Sequence, residues 1–289
     1  GHLALCSSNL PDTTISPNSS NGTADEFFNT VLYSGNGSTQ SITGVGFAPD
    51  WVWIKERSST SSHALGDTSR GALKVLQSDL ADAEVTTTTN FTSFDSDGFS
   101  HGNSGRVNQS SQTYVAWNWK ANGGTTSSNT DGTITSTVQA NTTAGFSIVT
   151  YTGTGSTATI GHGLGKKPSM YWTKNRDDGS QSWLVYHEKL ASDPETDYLI
   201  LNRSDAKADD SSVWNDTAPT TSVFSVGSAT SSNGSSDNML AYVFSEIEGY
   251  SKFGSYTGNG STDGTFVYTG FRPQFMMFKR TDTTGNWFI

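Results

Sequence analysis

The 289-residue chain holds five histidines, one cysteine and 27 acids, the groups able to do proton, thiol or metal chemistry. Their spacing makes none of the familiar constellations. His187-Glu188 puts an imidazole beside a carboxylate, but neighbours on a strand point to opposite faces, so the pair does not share a site. His63 aligns with Trp183 and Trp287 in an internal repeat, which marks a shared structural position. The chain has no G-x-S-x-G elbow and no H-E-x-x-H sequence. Cys6 has no motif around it and can form no internal disulfide. Gly153-Thr154-Gly155 and Gly161-His162-Gly163-Leu164-Gly165 have the glycine density of a phosphate loop. Such a loop opens a helix, and strands follow here. Asp95-Ser96-Asp97-Gly98 and Asp131-Gly132 present carboxylates to calcium. A calcium loop needs further oxygens, including a late bidentate glutamate, so an Asp-Gly turn is the better reading. No catalytic residue, cofactor site or metal site is assigned, and no enzymatic activity is expected.

Aromatic side chains are the remaining candidates, since a rigid ring offers contact area to a sugar. The repeat argues against most of them. Trp51 and Trp53 align with Met170 and Trp172, then with Phe275 and Met277. A position that stays apolar while changing shape reads as core. Candidate ligand contacts are therefore the aromatics outside these rows, Trp214 and Tyr268, together with Trp183 and Trp287 from the His63 row.

The elements that would position these residues come from a threefold internal repeat. Tyr33-Ser34-Gly35-Asn36-Gly37-Ser38, Tyr151-Thr152-Gly153-Thr154-Gly155-Ser156 and Tyr256-Thr257-Gly258-Asn259-Gly260-Ser261 are its first landmarks. Each is followed by a proline and then an apolar strand ending in lysine: Pro49 and Lys55, Pro168 and Lys174, Pro273 and Lys279. Asn-Gly between apolar runs predicts a hairpin that opens each module. Two closing strands, Tyr114–Trp119 and Met239–Phe244, match each other, with Asn108 over Asn233 in the turns before them. Leu73–Leu76 and Tyr198–Leu201 are read as equivalent strands.

Composition agrees with a β protein. Hydrophobic residues make up 33% and charged residues 15%, while aromatics reach 11% and glycines number 30. The aromatics give the chain material for a core, and Thr, Tyr, Phe and Trp favour strands joined by Gly and Asn turns. The net charge of −10, with 17 scattered basic residues, argues against a nucleic-acid groove, which needs clustered Lys and Arg. No apolar run approaches the roughly 20 residues of a membrane-spanning helix, so no membrane insertion is expected. The fold class expected is all-β, with tandem antiparallel, jelly-roll-like β-sandwich modules, two complete and one partial. Residues 1–25 are read as an arm and 26–122 as the first sandwich. Residues 123–145 read as a Ser/Thr/Gly-rich linker with room for one strand at Ile134–Val138, 146–249 as the second sandwich and 250–289 as a partial third. That third piece is expected to be completed by further chain, by the second repeat or by another subunit.

Several of these segments together resemble a repeat domain of unknown function found in tail-fibre and other virion proteins of tailed, notably marine, bacteriophages. They are Phe28–Tyr33, Thr43–Phe47 with Pro49-Asp50, Ser93–Phe99, Thr143–Val149, Gly161–Gly165 and Glu248–Gly254. The arm Ala4–Pro11 is similar to the segment preceding that domain. The resemblance implies a structural or adhesive virion protein, in a tail fibre or another appendage that contributes to host attachment. It implies homo-oligomerisation, with a trimer expected from the habit of tail fibres. Other virion proteins and host cell-surface glycans are the partners implied, and the virion is the location. The alternatives are a carbohydrate-binding module of a secreted bacterial protein and a glycan depolymerase. For the latter the sequence offers no acid pair to name.

Overall fold

The computed structural model describes residues 14–16 and 20–289; Cys6 and most of the 1–25 arm lie outside the described residues. The chain is all-β, built from antiparallel sheets, with three one-turn α-helices and a 3-10 turn at Ala24–Glu26 among the described residues.

The first module runs through β1 (Phe28–Ser34), β2 (Gln40–Thr43), β3 (Trp51–Glu56), β4 (Ala64–Asp67) and β5 (Lys74–Val75). It continues with β6 (Val85–Thr86), β7 (Phe91–Asp95), β8 (Gly98–His101), helix α1 (Gly105–Asn108) and β9 (Thr113–Trp119). One sheet has the order β1-β9-β3-β4 and faces a second, β2-β8-β7. Ile42, Val52, Ile54, Phe91, Phe99 and Tyr114 are among the side chains packed between them.

The second module repeats this plan. It comprises β10 (Ser127–Asn129), β11 (Ser136–Asn141), β12 (Phe146–Thr152), β13 (Ala158–Gly161) and β14 (Met170–Asn175). Then come β15 (Leu184–His187), β16 (Asp197–Ile200), β17 (Ala208–Asp209), α2 (Ser211–Trp214), β18 (Val223–Val226), α3 (Thr230–Asn233) and β19 (Asn238–Phe244). The large sheet has the order β10-β11-β12-β19-β14-β15-β16-β17 and is covered by the β13-β18 pair. The third copy contributes only β20 (Phe278–Lys279) and β21 (Trp287–Phe288).

Three sequence expectations change here. The glycine stretches are not hairpins. β1 pairs along its whole length with β9, from Phe28 opposite Trp119 to Ser34 opposite Thr113, while β2 pairs with β8. The turn is thus a corner between two sheets, and a buried asparagine holds it. Asn108 accepts the Asn36 N–H at its Oδ1 (2.7 Å), and its amide donates to the Gly102 carbonyl (3.0 Å) and to the Ser38 carbonyl. Asn233 does the same for Thr154, Gly227 and Ser156. A Cβ on Gly35 would lie 2.2 Å from the Gln109 carbonyl, so glycine is required by close approach. The long apolar β9 offers seven pairings and two buried faces, which outweigh a local turn signal.

Residues 123–145, read as a linker, carry β10 and β11, which pair onto β12. Alternation puts Val138 into the second module's core, where Ile134 also packs, and that burial outweighs the loop-like composition. The third copy does not form an opening strand near Tyr256. In both complete modules that strand pairs with the closing strand, and residues 250–289 contain no closing strand. Phe266 and Tyr268 are accordingly exposed.

The central sheets are buried on both faces. Along β3, Val52 and Ile54 face the first module's own core, while Trp51 and Trp53 face outward into a second core. Along β19, Met239, Ala241 and Val243 face inward, and Leu240, Tyr242 and Phe244 face outward. The outward faces of all three copies meet in one shared aromatic core. There Trp51 contacts Phe146, Trp172, Tyr242 and Phe244 of the second copy, with ring centroids 4.3–6.1 Å apart. Phe275, its counterpart in the third copy, contacts Phe28, Trp53, Trp117 and Trp119 of the first, at 5.4–6.2 Å. These four residues are the counterparts of the four that Trp51 touches. The relation of copy one to copy two is therefore repeated by copy three on copy one. Such head-to-tail contacts close a ring when the rotation fits; here two of the three aromatic contacts of a three-copy ring are made.

Candidate functional site

The ring is held by a hydrogen-bond set that occurs twice. Trp183 of the second copy donates its indole N–H to the Gln77 carbonyl of the first (2.8 Å). Trp287 of the third copy donates to the Ile200 carbonyl of the second (2.9 Å). Strand pairing shows that these acceptors correspond. Leu65 lies opposite Leu76, and its counterpart Val185 lies opposite Leu199, so Gln77 answers to Ile200. The aligned pairing of Leu76 with Leu201 is thereby corrected by two residues. The repeated lysines join in. Lys174 Nζ donates to Ala81 O (2.8 Å) and Lys279 Nζ to Ser204 O (3.4 Å). A backbone bond completes each junction, Glu84 N–H to Arg176 O (2.8 Å) and Lys207 N–H to Thr281 O (3.0 Å). Lys174 has no carboxylate partner, and burial lowers its ammonium pKa to about 8, with Asp178 and Asp82 opposing.

The first junction also has an ion network where the copies differ in sequence. Arg70 is wholly buried and binds Asp67 (2.5 Å) and Glu84 (2.9 Å), while Arg176 of the second copy forks onto Glu84. Tyr242 of the second copy donates to Asp67 (2.7 Å). Burial alone would raise the Glu84 carboxyl, but the Arg176 hydrogen bonds and the charge of Arg70 hold it below its ordinary value.

Where the three copies meet at one end, an open cleft of about 530 Å³ lies between Trp53, His63 and Asp79 of the first, Leu201–Asp205 of the second and Asn286, Trp287 and Ile289 of the third. Within it His63 Nδ1 accepts the Trp53 indole N–H (2.7 Å), which places the imidazole proton on Nε2. The His63 backbone N–H donates to Asp79 Oδ1 (3.0 Å). Burial pushes the His63 pKa down to about 4, against the opposing pull of Asp79 and with help from Lys55. The cleft gathers an imidazole N–H, an indole face and short polar side chains, a set suited to hydrogen bonding and stacking. It contains no acid–base pair in contact with a nucleophile.

The candidate aromatics are scattered by the fold. Trp183 is fully buried at the first junction, and Trp214 is fully buried in the second module's own core, donating to Asp197 O (3.2 Å). Neither presents a surface platform, because each ring is sealed by packing and its N–H is satisfied within the chain. Tyr268 is exposed but stands away from the cleft lining. Trp287 alone of the four lines the cleft. Asp97 is spent on the Gly44 and Gly46 amides, whose hydrogen bonds lower its carboxyl pKa, and Asp95 is spent on Ser93 and Ser100. Among the described residues no group of three or more His, Cys, Asp and Glu is placed to hold a metal ion. Sequence reasoning missed the acceptor segments Gln77–Ala81 and Ile200–Ser204, since a backbone carbonyl leaves no residue-type signal. The repeated Pro-to-Lys spacing was visible, but it gave no sign that the lysine crosses to a neighbouring module.

No curated protein and no solved structure matches the chain. A family described as a domain of unknown function, DUF7483, matches residues 23–289. With nearly its whole length matched, from the turn before β1 to the last residue of the ring, the chain belongs to the DUF7483 family.

Proposed function

We propose that the chain is a structural and adhesive virion protein of a tailed bacteriophage, in a tail fibre or another appendage that contributes to host-surface attachment. The observation that carries this reading is the shared three-copy core. Three repeats spend their outward apolar faces on one another, so the unit is a rigid block rather than beads on a string. Repeat proteins draw stability from such neighbour contacts. A block of this kind, low in charge and rich in Ser, Thr and Asn, suits an exposed mechanical part. Other virion proteins, further copies of the chain and host-surface glycans are its proposed partners. Gold-labelled antibody against the chain, viewed by electron microscopy on purified tailed particles, tests the proposal. Label on an appendage supports it; label confined to particle-free secreted material overturns it.

A further inference from the structure

The two completed junctions define a rule, and the third position in the ring meets only part of it. At each completed junction one copy offers an indole N–H and a lysine Nζ. The copy before it offers two carbonyls four residues apart, Gln77 and Ala81 in one case and Ile200 and Ser204 in the other. The counterparts on the first copy are His63 and Lys55. His63 carries its proton on Nε2 and has no hydrogen-bond partner for it among the described residues. Among the described residues Lys55 Nζ reaches only carbonyls of its own module, Glu56 (2.6 Å) and Ser59 (3.2 Å). Lys174, by contrast, holds the local carbonyls of Asn175 and Gln181 and the Ala81 carbonyl of the neighbouring copy as well. The aromatic half of this third junction is already made by Phe275 against the first copy. Of the polar half, His63 lines the open cleft and Lys55 is half-buried.

We propose that His63 and Lys55 form a docking surface for one kind of occupant: a strand-and-loop segment of this same family, equivalent to Ile200–Ser204, that continues the third copy. The segment presents a strand carbonyl to His63 Nε2–H and, four residues on, a loop carbonyl to Lys55 Nζ. Three residues beyond that, its backbone N–H meets the Arg57 carbonyl, as Glu84 meets Arg176 and Lys207 meets Thr281. Recognition runs through backbone atoms, so the occupant is selected by shape and register rather than by side-chain identity. The inference stands apart from the virion reading, since it concerns only how the ring is completed.

The test extends the full chain. Trp287 is the counterpart of Trp183, so Ile289 answers to Val185. A second copy of Tyr186–Phe244 placed after Ile289 supplies a segment equivalent to Ile200–Ser204. The expected result is at least tenfold slower solvent exchange of the His63 Nε2–H in ¹⁵N-edited imidazole spectra. Unfolding should also shift to higher temperature, and Lys55→Met should remove most of that gain while changing the unextended chain little. As a second arm, a synthetic peptide of Asp197–Lys207 added to the unextended chain should shift the His63 and Lys55 resonances and leave those of the buried Trp183 in place. Unchanged His63 exchange in the extended chain together with an inert peptide overturns the proposal. So does an equal effect of Lys55→Met in both chains.

Discussion

The indole N–H of Trp183 leaves its own module and donates to the Gln77 carbonyl of the preceding one at 2.8 Å. A side chain that a sequence reader would place on a sugar-binding surface is therefore a peg between modules. Trp183→Ala should destabilise the chain by about 3–5 kcal/mol, the usual cost of deleting a buried tryptophan. Trp183→Phe keeps most of the packing and loses the hydrogen bond, at about 1–3 kcal/mol for the carbonyl left unsatisfied. Denaturant unfolding of the two variants checks both values and their order.

Arg70 is the fully buried hub of the charge network across the same junction. Arg70→Met leaves Asp67 with an uncompensated buried charge, while Glu84 keeps Arg176, and a loss of about 3–5 kcal/mol is expected. Glu84 adds a pH signature. Its folded pKa is lowered, so its contribution is present above the ordinary glutamate range, about 4.3, and is lost as pH falls through the folded value. Arg176→Met, measured by urea unfolding at pH 7 and pH 3.5, should cost clearly less at the lower pH.

His63 predicts the opposite kind of residue behaving in a related way. Its pKa falls from 6.5 to about 4 on folding. Between those values the unfolded chain binds the extra proton and the folded chain does not. Stability is therefore unaffected above about pH 6.5 and declines as pH drops towards 4, by on the order of 3 kcal/mol from this residue. His187, also lowered to about 4, acts in the same window. His63→Gln should flatten part of the acid-side slope of the unfolding midpoint; an unchanged slope would refute the assignment.

Asn108 and Asn233 should behave as twins. Each clamps a glycine corner with its amide, so Asn108→Ala and Asn233→Ala should each cost about 2–3 kcal/mol, from buried polar groups left unpaired. Tyr268→Ala, at a residue 76% exposed, should stay within about 0.5 kcal/mol of the parent. Parallel thermal melts of the three variants separate these outcomes.

Much of this fold was legible in the residues. Alternation and repeat alignment located β1, β3, β9, β12, β14 and β19, and the changing shapes at Trp51, Met170 and Phe275 marked them as core. Which core they enter was not legible. Alternation says that Trp53 and Val52 face opposite ways, but both faces are apolar, and periodicity does not tell an intramodular face from an intermodular one. The Asn-Gly corners were misread because a local turn signal cannot report that Ser34 pairs with Thr113, 79 positions away. The junction acceptors at Gln77 and Ile200 were invisible because backbone carbonyls are common to all residues. Trp214 has no counterpart among the repeats and so was taken for a surface ring, although helix α2 turns it into the second module's core.

The shared three-copy core is most directly tested by aromatic nuclear Overhauser contacts in the intact chain. Phe275 should show contacts to Trp119 and Phe28, at ring separations of 5.4 and 5.9 Å, as Trp51 does to Tyr242 and Phe146. Contacts from Trp51 to the second copy without any from Phe275 to the first would contradict the ring and leave only a two-module stack.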